Sequence, residues 1–257
     1  MTVAPALTAL LIDFIDYAGV FPPASESVET AVKNYIAYKS SNHAWILKRF
    51  VIGEDKLTSI PESLDGSISL LSESDQQRAG AIESKGVVKS ASHPVYCEVA
   101  LNDLENQLDA IKSAGQFAKI RMGSVKPDGI PSSAEAAKFI TACAKRRLAF
   151  KATAGLHHPV RATYPLTYEH DAPRAIMHGF INVLMASALS WHGKADAESV
   201  LEETDPSAFS FDSHARWRGF QLNVQEIAIA RRDFIHSVGS CSFTEPVQEL
   251  KQLGWLA

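Results

Sequence analysis

Cysteine is scarce in this chain: three among 257 residues, Cys97, Cys143 and Cys241, widely separated and without a Cys-x-x-Cys pair. An odd number of distant thiols argues against a disulfide framework and against a thiolate zinc site, and suits a reducing cytoplasm. The glycine signatures of nucleotide binding are missing as well. There is no Gly-x-Gly-x-x-Gly and no Gly-x-x-x-x-Gly-Lys-Ser/Thr, so neither a dinucleotide turn nor a phosphate loop is expected. Positive charge is not in excess, the formal net charge being −4, whereas binding a polyanion needs a concentrated basic face. The short clusters Lys145-Arg146-Arg147 and Arg231-Arg232 read as solvated helix faces. The apolar run ALTALLIDFIDYAGVF has no basic leader and contains Asp13 and Asp16, which fits neither a signal peptide nor a membrane span. No long Pro/Gly/Ser linker, internal repeat or low-complexity segment divides the chain. The expectation is one soluble, cytoplasmic domain over residues 1–257, with no nucleic acid and no membrane as partner.

What is present is an ordinary globular composition, 46% hydrophobic and 21% charged, arranged as short apolar runs that alternate with helical patterns. Strands are predicted at 44–52, 67–72, 95–101, 117–122, 149–154 and 234–239. Helices are predicted over SESVETAVKNYIAYKSS, with Val28, Val32, Tyr35 and Ile36 on one side, and over LNDLENQLDAIKSAG, with Leu101, Leu104, Leu108 and Ile111 before a stop at Gly115. SSAEAAKFITACAKRR has a serine start, an acidic first turn and a basic last turn, as the helix dipole favours, and EPVQELKQLGWL supplies the final helix. This alternation in about 250 residues predicts an α/β fold, a TIM-like (β/α)8 barrel that is irregular or carries extra helices. Two of the eight strands stay ambiguous: LLIDFIDYAGVF and HGFINVLMASAL both have helical alternatives.

In such a barrel the reacting groups project from the C-terminal strand ends. Glu98, Lys119, Arg121 and Lys151 interrupt three otherwise apolar strands, with Lys119 and Arg121 two apart and Lys151 and Thr153 two apart, hence each pair on one face. Isolated buried charge is costly, so these groups should neutralise one another or line a wet pocket. With the bases outnumbering the acid, the second arrangement leaves room for a small anionic metabolite. Lys151 near Lys119 and Arg121 would have its proton affinity lowered by desolvation and like charge, which suits a nucleophilic amine. It would otherwise stay protonated and bind a carboxylate or phosphate, or form a structural ion pair.

The string FKATAGL, 150–156, resembles the Schiff-base lysine strand of deoxyribose-phosphate-type class I aldolases. In these a lysine is followed by small and hydroxyl residues and a glycine at a barrel-strand end. The resemblance covers about seven residues and implies an imine-forming role for Lys151. The second lysine strand of that family has no counterpart after it, because the next lysine is Lys194 in a helix-like polar context; Lys119 is then the electrostatic neighbour.

Adjacent His157 and His158 cannot both face one pocket from an extended segment. One of them is a candidate general acid/base, or, with His178, His236 or Glu98, a metal ligand; otherwise it orients the loop. The hydroxyl-rich turn with Ser237, Gly239, Ser240 and Ser242, leading into a helix at Thr244-Glu245-Pro246, is a candidate anion cradle, although Glu245 would partly repel an anion there. Cys241 is assigned to packing, for want of a histidine at fixed spacing. In DYAGVFPPAS the prolines fix a rigid connection, as punctuation or to hold side chains over a barrel mouth. The scattered Trp45, Trp191, Trp217 and Trp255 suit core packing or the interface of a homo-oligomer better than base stacking. The reading is an aldolase-like lyase on a small anionic carbonyl or phosphorylated metabolite. Lys151, Glu98, His157 and His158 are its catalytic candidates, and Lys119, Arg121, Thr153, Ser237, Gly239 and Ser240 its binding candidates, with no cofactor and no metal. The alternatives are a metal-assisted hydrolase or epimerase using His/Glu ligands, and a noncatalytic ligand-binding barrel.

Overall fold

The computed structural model describes residues 3–256. Eight parallel strands close into a barrel: β1 (Ile15–Tyr17), β2 (Leu47–Gly53), β3 (Ile68–Leu71), β4 (Ala81–Ser84), β5 (Val95–Glu98), β6 (Phe117–Arg121), β7 (Phe150–Thr153) and, much later in the chain, β13 (Ile235–Ser240). They run in chain order round the barrel, with β13 lying between β7 and β1. The fold is the expected TIM-like α/β barrel.

Each strand divides its residues by alternation. In β7, Phe150 faces outward, ring to ring with Phe139 of helix α4 (Ser133–Arg146) at 5.1 Å. Lys151 and Thr153 therefore point into the lumen. In β2, Phe50 packs on Tyr35 of α2 (Val28–Lys39) at 5.4 Å. The apolar positions thus bury themselves under the helices, and the lumen receives the polar set.

The helical ring is incomplete. Helix α1 (Pro5–Leu11) precedes the barrel, α2 follows β1, α3 (Leu104–Ser113) follows β5 and α4 follows β6. Between β7 and β13 lie α5 (Phe180–Trp191), α6 (Ala197–Leu201) and α7 (Val224–Asp233), and α8 (Thr244–Gln252) closes the chain. Among the described residues, β2 is followed only by 3-10 turns, and β3 and β4 only by loops. The predicted cap on α4 is present as a full capping box between Ser132 and Glu135. On α2 the cap is Ser27, and Ile36 of the predicted apolar side is 46% exposed while Ala31, Val32 and Tyr35 are buried.

The two ambiguous segments resolve differently. LLIDFIDYAGVF holds the end of α1, a break at Asp13 with φ 47°, and then β1. HGFINVLMASAL is no strand; it becomes α5, buried at every position from Phe180 to Leu189, because a helix that is apolar all round is stable only when enclosed. The missing strand is β4, four residues between Gly80 and Gly86.

Two additions decorate the frame. An antiparallel hairpin of β8 (Ala162–Pro165) and β9 (Arg174–Met177) stands beside the barrel mouth. A three-stranded antiparallel sheet joins β10 (Phe209–Phe211), β11 (His214–Trp217) and β12 (Phe220–Asn223). Among the described residues no helix is long and apolar enough to cross a membrane.

After β6 and β7 the backbones touch directly at Gly123 and Gly155. Gly155 has φ +69°, and a Cβ there would come within 2.6 Å of the Gly123 Cα. Gly155→Ala is expected to lower the unfolding free energy by roughly 1–3 kcal/mol, measured by urea denaturation. Gly115→Ala, at φ +67° but in open space, should lose less.

Candidate active site

The centre of the lumen is a chain of charges. Lys151, fully buried, donates to Asp16 Oδ2 on β1 at 2.6 Å and to Glu83 Oε1 on β4 at 2.6 Å. Both carboxylates are themselves held. Ser237 Oγ donates to Asp16 Oδ2 at 2.7 Å, the Arg49 amide donates to Asp16 Oδ1 at 3.1 Å, and Ser69 Oγ donates to Glu83 Oε1 at 2.8 Å. The other oxygen of Glu83 lies 3.3 Å from Lys119 Nζ, which is also 3.1 Å from Glu98 Oε2. The strand register explains the order, since Glu98 stands beside Lys119 and Lys119 beside Lys151 across β5, β6 and β7.

This network corrects the expected charge balance. Asp16 and Glu83 join Glu98, so three acids meet the three bases Lys119, Arg121 and Lys151 and the expected excess of positive charge is gone. Of the alternatives open for Lys151, the pairs with Asp16 and Glu83 match the structural ion pair and not the amine of lowered proton affinity. Burial by itself lowers the proton affinity of the ammonium, but the charges of Asp16 and Glu83 more than undo this, and its pKa lies above the usual lysine value. Burial would raise the Glu83 pKa, yet Lys151 and Lys119 hold it well below the ordinary carboxylate range.

Above this layer, at the C-terminal strand ends, lies a cavity of about 230 Å³. Glu98, Lys119 and Arg121 border it from β5 and β6, and Thr153, Gly239 and His157 from the ends of β7 and β13. Phe21, Pro22 and Pro23 of the rigid connection, with Leu166 and Met177 of the hairpin, cover it. The proline segment therefore does hold side chains over the mouth. The Arg121 guanidinium makes no hydrogen bond or ion pair among the described residues, which leaves a cation at the rim without a counter-charge.

Lys151, Ser237, Ser240 and His158, also expected at the site, do not border the cavity. Lys151 and Ser237 are consumed by the charge network beneath it. Ser240 Oγ donates to the Ser242 carbonyl at 2.6 Å, and Ser242 Oγ accepts from the Glu245 amide at 3.1 Å, so these hydroxyls build a turn instead of an anion cradle. His158 points away: its ring stacks on Tyr164 at 3.5 Å and its Nδ1 sits 2.6 Å from Glu249 Oε1. The proposed metal ligands do not converge either. His178 Nε2 is bonded to the Pro131 carbonyl, and His236 Nδ1 pairs with the Tyr96 hydroxyl at 2.9 Å. No group of three or more His, Cys, Asp or Glu side chains suited to a metal ion occurs among the described residues.

Cys241 is the residue that sequence reasoning set aside. It borders the cavity, with Sγ 3.3 Å from His157 Nδ1. Burial pushes the thiol up to about 11, and burial together with His158 brings the imidazole down to about 4, so both groups are neutral near pH 7. On the far side of the sulfur the Tyr168 hydroxyl, 3.7 Å away, donates to Glu245 Oε2 at 2.8 Å.

Removing the central ammonium leaves two buried carboxylates facing each other. Lys151→Met is expected to destabilise the fold by about 3–5 kcal/mol in chemical denaturation, and adding Asp16→Asn and Glu83→Gln should restore part of the loss. A separate acid sensitivity follows from His236. Burial lowers its pKa from 6.5 to about 4, so the unfolded chain takes up a proton there that the native state refuses. Stability should accordingly fall by roughly 1–3 kcal/mol from this group as pH drops from about 6.5 to about 4. His236→Gln should flatten that part of a stability–pH curve.

No protein-family model, no curated protein and no solved structure matches the chain. The reading of function therefore rests on the site's own geometry.

Proposed function

We propose that the protein is an aldolase-type lyase acting on a small anionic carbonyl compound, and that its amine nucleophile is Lys119. The observation that carries this reading is the position of Lys119. It is the lysine that borders the cavity, paired with Glu98 and Glu83, whereas Lys151 lies enclosed below.

The neighbours give Lys119 the partners that imine chemistry needs. Its ammonium must lose a proton before attack, and the Glu98 side chain, 31% exposed and 3.1 Å away, is an adjacent acceptor open to the cavity. Glu83 is a poorer one, because Lys151 fixes its charge from the other side. The free amine adds to the substrate carbonyl, and the resulting carbinolamine loses water with the proton returned by Glu98. The pair of the breaking Cα–Cβ bond then becomes the C=C bond of an enamine as the C=N π pair moves to nitrogen, the β-hydroxyl gives its proton to Glu98, and the β-carbon leaves as an aldehyde or ketone; protonation of the enamine and addition of water release the second product and the amine. Arg121, without a counter-charge at the rim, takes the carboxylate or phosphate end of the substrate. Thr153 offers a hydroxyl to the same space.

Borohydride reduction in the presence of pyruvate, glyoxylate or dihydroxyacetone phosphate, followed by peptide mass mapping, tests the proposal. One of these probes should leave a reduced adduct on Lys119, absent from Lys119→Met and weakened by Arg121→Gln. No adduct on Lys119 with any of the three, or labelling spread over surface lysines and unchanged in Lys119→Met, would overturn it.

A further inference from the structure

The mouth cavity is two-sided, and the imine chemistry occupies only one of its sides. Following the strands round the barrel, β4, β5, β6 and β7 bring Glu83, Glu98, Lys119, Arg121 and Thr153 to it. The adjoining strands β1, β2 and β3, with the connection after β1, bring Ala18, Phe21, Pro22, Pro23, Val51 and Leu71. No side chain of this second set carries a charge or a hydrogen-bonding group. The hairpin adds Leu166 and Met177, both buried, to the cover. Charge and hydrocarbon are thus sorted by strand order into two halves of one space.

The closure of the barrel sets these halves against each other. β6 and β2 stand four strands apart by either way round, so Val51 lies across the lumen from Lys119. Val51 turns inward because Phe50, next to it, packs outward on Tyr35. Lys119 and Arg121 share one face of β6. A ligand with its carboxylate at Arg121 and its carbonyl carbon at Lys119 therefore directs its remaining carbons toward Val51, Leu71 and Phe21. Water gains no hydrogen bond from the side chains of that wall, whereas a hydrocarbon group placed there leaves water itself.

We propose that the substrate is a monocarboxylic aldol, a 4-hydroxy-2-oxo acid, whose C4 carries a short uncharged alkyl or aryl group seated on the β1–β3 wall. The reaction rests on the lyase reading of this cavity; the binding of a hydrocarbon tail beside a carboxylate rests on the lining alone. The Cα–Cβ bond that breaks is then C3–C4. Its electron pair stays with C3 in the enamine, the C4 hydroxyl gives its proton to Glu98, and C4 leaves as an aldehyde bearing the apolar group, with pyruvate released on hydrolysis. One guanidinium without a counter-charge matches one carboxylate, fork to fork. The tail is short, since a cavity of about 230 Å³ is smaller than the roughly 300–1,000 Å³ of sites for drug-sized ligands. A second charge at its end would be desolvated against Val51 and Leu71 with no partner.

Saturated acids, which cannot form an imine, test the tail site by itself. Butyrate, pentanoate and hexanoate, with glutarate as the charged-end counterpart, are titrated against the full-length protein by saturation-transfer NMR. Affinity should rise about three- to fourfold per methylene along the monocarboxylates, and glutarate should bind no better than butyrate. Val51→Thr, which keeps the shape and adds a hydroxyl, and Leu71→Asn should each flatten the series. Arg121→Gln should weaken every member by a similar factor and keep the slope, with all folds checked by circular dichroism. With pyruvate, 2-oxopentanoate and 2-oxohexanoate, the concentration giving half-maximal borohydride trapping on Lys119 should fall by the same factor per methylene. A series without chain-length dependence, glutarate equal to hexanoate, a slope indifferent to both wall substitutions, or no binding of any acid would overturn the proposal. Lys119→Met should abolish trapping and keep the slope of the saturated acids. Loss of trapping alone therefore strikes the imine, and a flat slope with trapping intact strikes the tail site.

Discussion

An ammonium ion enclosed in the middle of a parallel barrel is tolerable only if carboxylates meet it there, and the bridge from Lys151 to Asp16 and Glu83 is the constraint on which the site depends. Desolvating three charges is unfavourable, and their mutual attraction compensates only when every lone pair and proton is used. The accessory hydrogen bonds from Ser237, Ser69 and the Arg49 amide meet that demand. Because the bridge joins β7 to β1 and β4, strands that are not neighbours in the barrel, it also sets where each side chain of the next layer stands. Glu83 is oriented by Lys151, Lys119 by Glu83, and Glu98 by Lys119. The groups at the cavity thus inherit their geometry from the Lys151 bridge beneath it.

The barrel and most of its strands were legible because outward-facing residues carry the signal. Phe50 and Phe150 are buried under helices and Ile68 in the core beside Phe50, and their apolar runs stand out from the polar loops. The lumen was legible only in part. Lys119, Arg121, Glu98 and Lys151 were visible as charges inside apolar runs, and Gly239, Thr153 and His157 as strand-end residues. Their counter-charges were not. Glu83 lies in a four-residue strand too short to stand out by hydrophobicity, although the alternation of Ile82 and Glu83 between flanking glycines was the available clue. Asp16 stood in the candidate first strand, whose helical alternative was open, and was not counted among the charges of the lumen. With both acids unassigned, the choice between a nucleophilic amine, a protonated anion binder and a structural ion pair at Lys151 stayed open.

Tertiary neighbours account for the remaining differences. His157 and Cys241 are 84 residues apart, and no spacing rule connects them; the closure of β13 against β7 brings them together. His158 was separated from His157 correctly by the geometry of an extended segment, but which of the two faced inward was decided by Tyr164 and Glu249. The short string FKATAGL drew attention to Lys151, which does not border the cavity. The lysine bordering the cavity is its partner one strand away.

The hairpin over the mouth is attached in an unusual way. Among the described residues, no hydrogen bond between main-chain groups joins residues 162–177 to the rest of the molecule; side chains hold it, the Tyr168 hydroxyl on Glu245, the Tyr164 hydroxyl on the Val160 carbonyl, the stacking of Tyr164 on His158, itself tied to Glu249, and the burial of Leu166 and Met177. Its root is stapled, through the amides of Phe180 and Ile181 on the carbonyls of His158 and Pro159. Both acidic partners, Glu245 and Glu249, stand on α8, so the hairpin that covers the cavity is tied to the last helix of the chain.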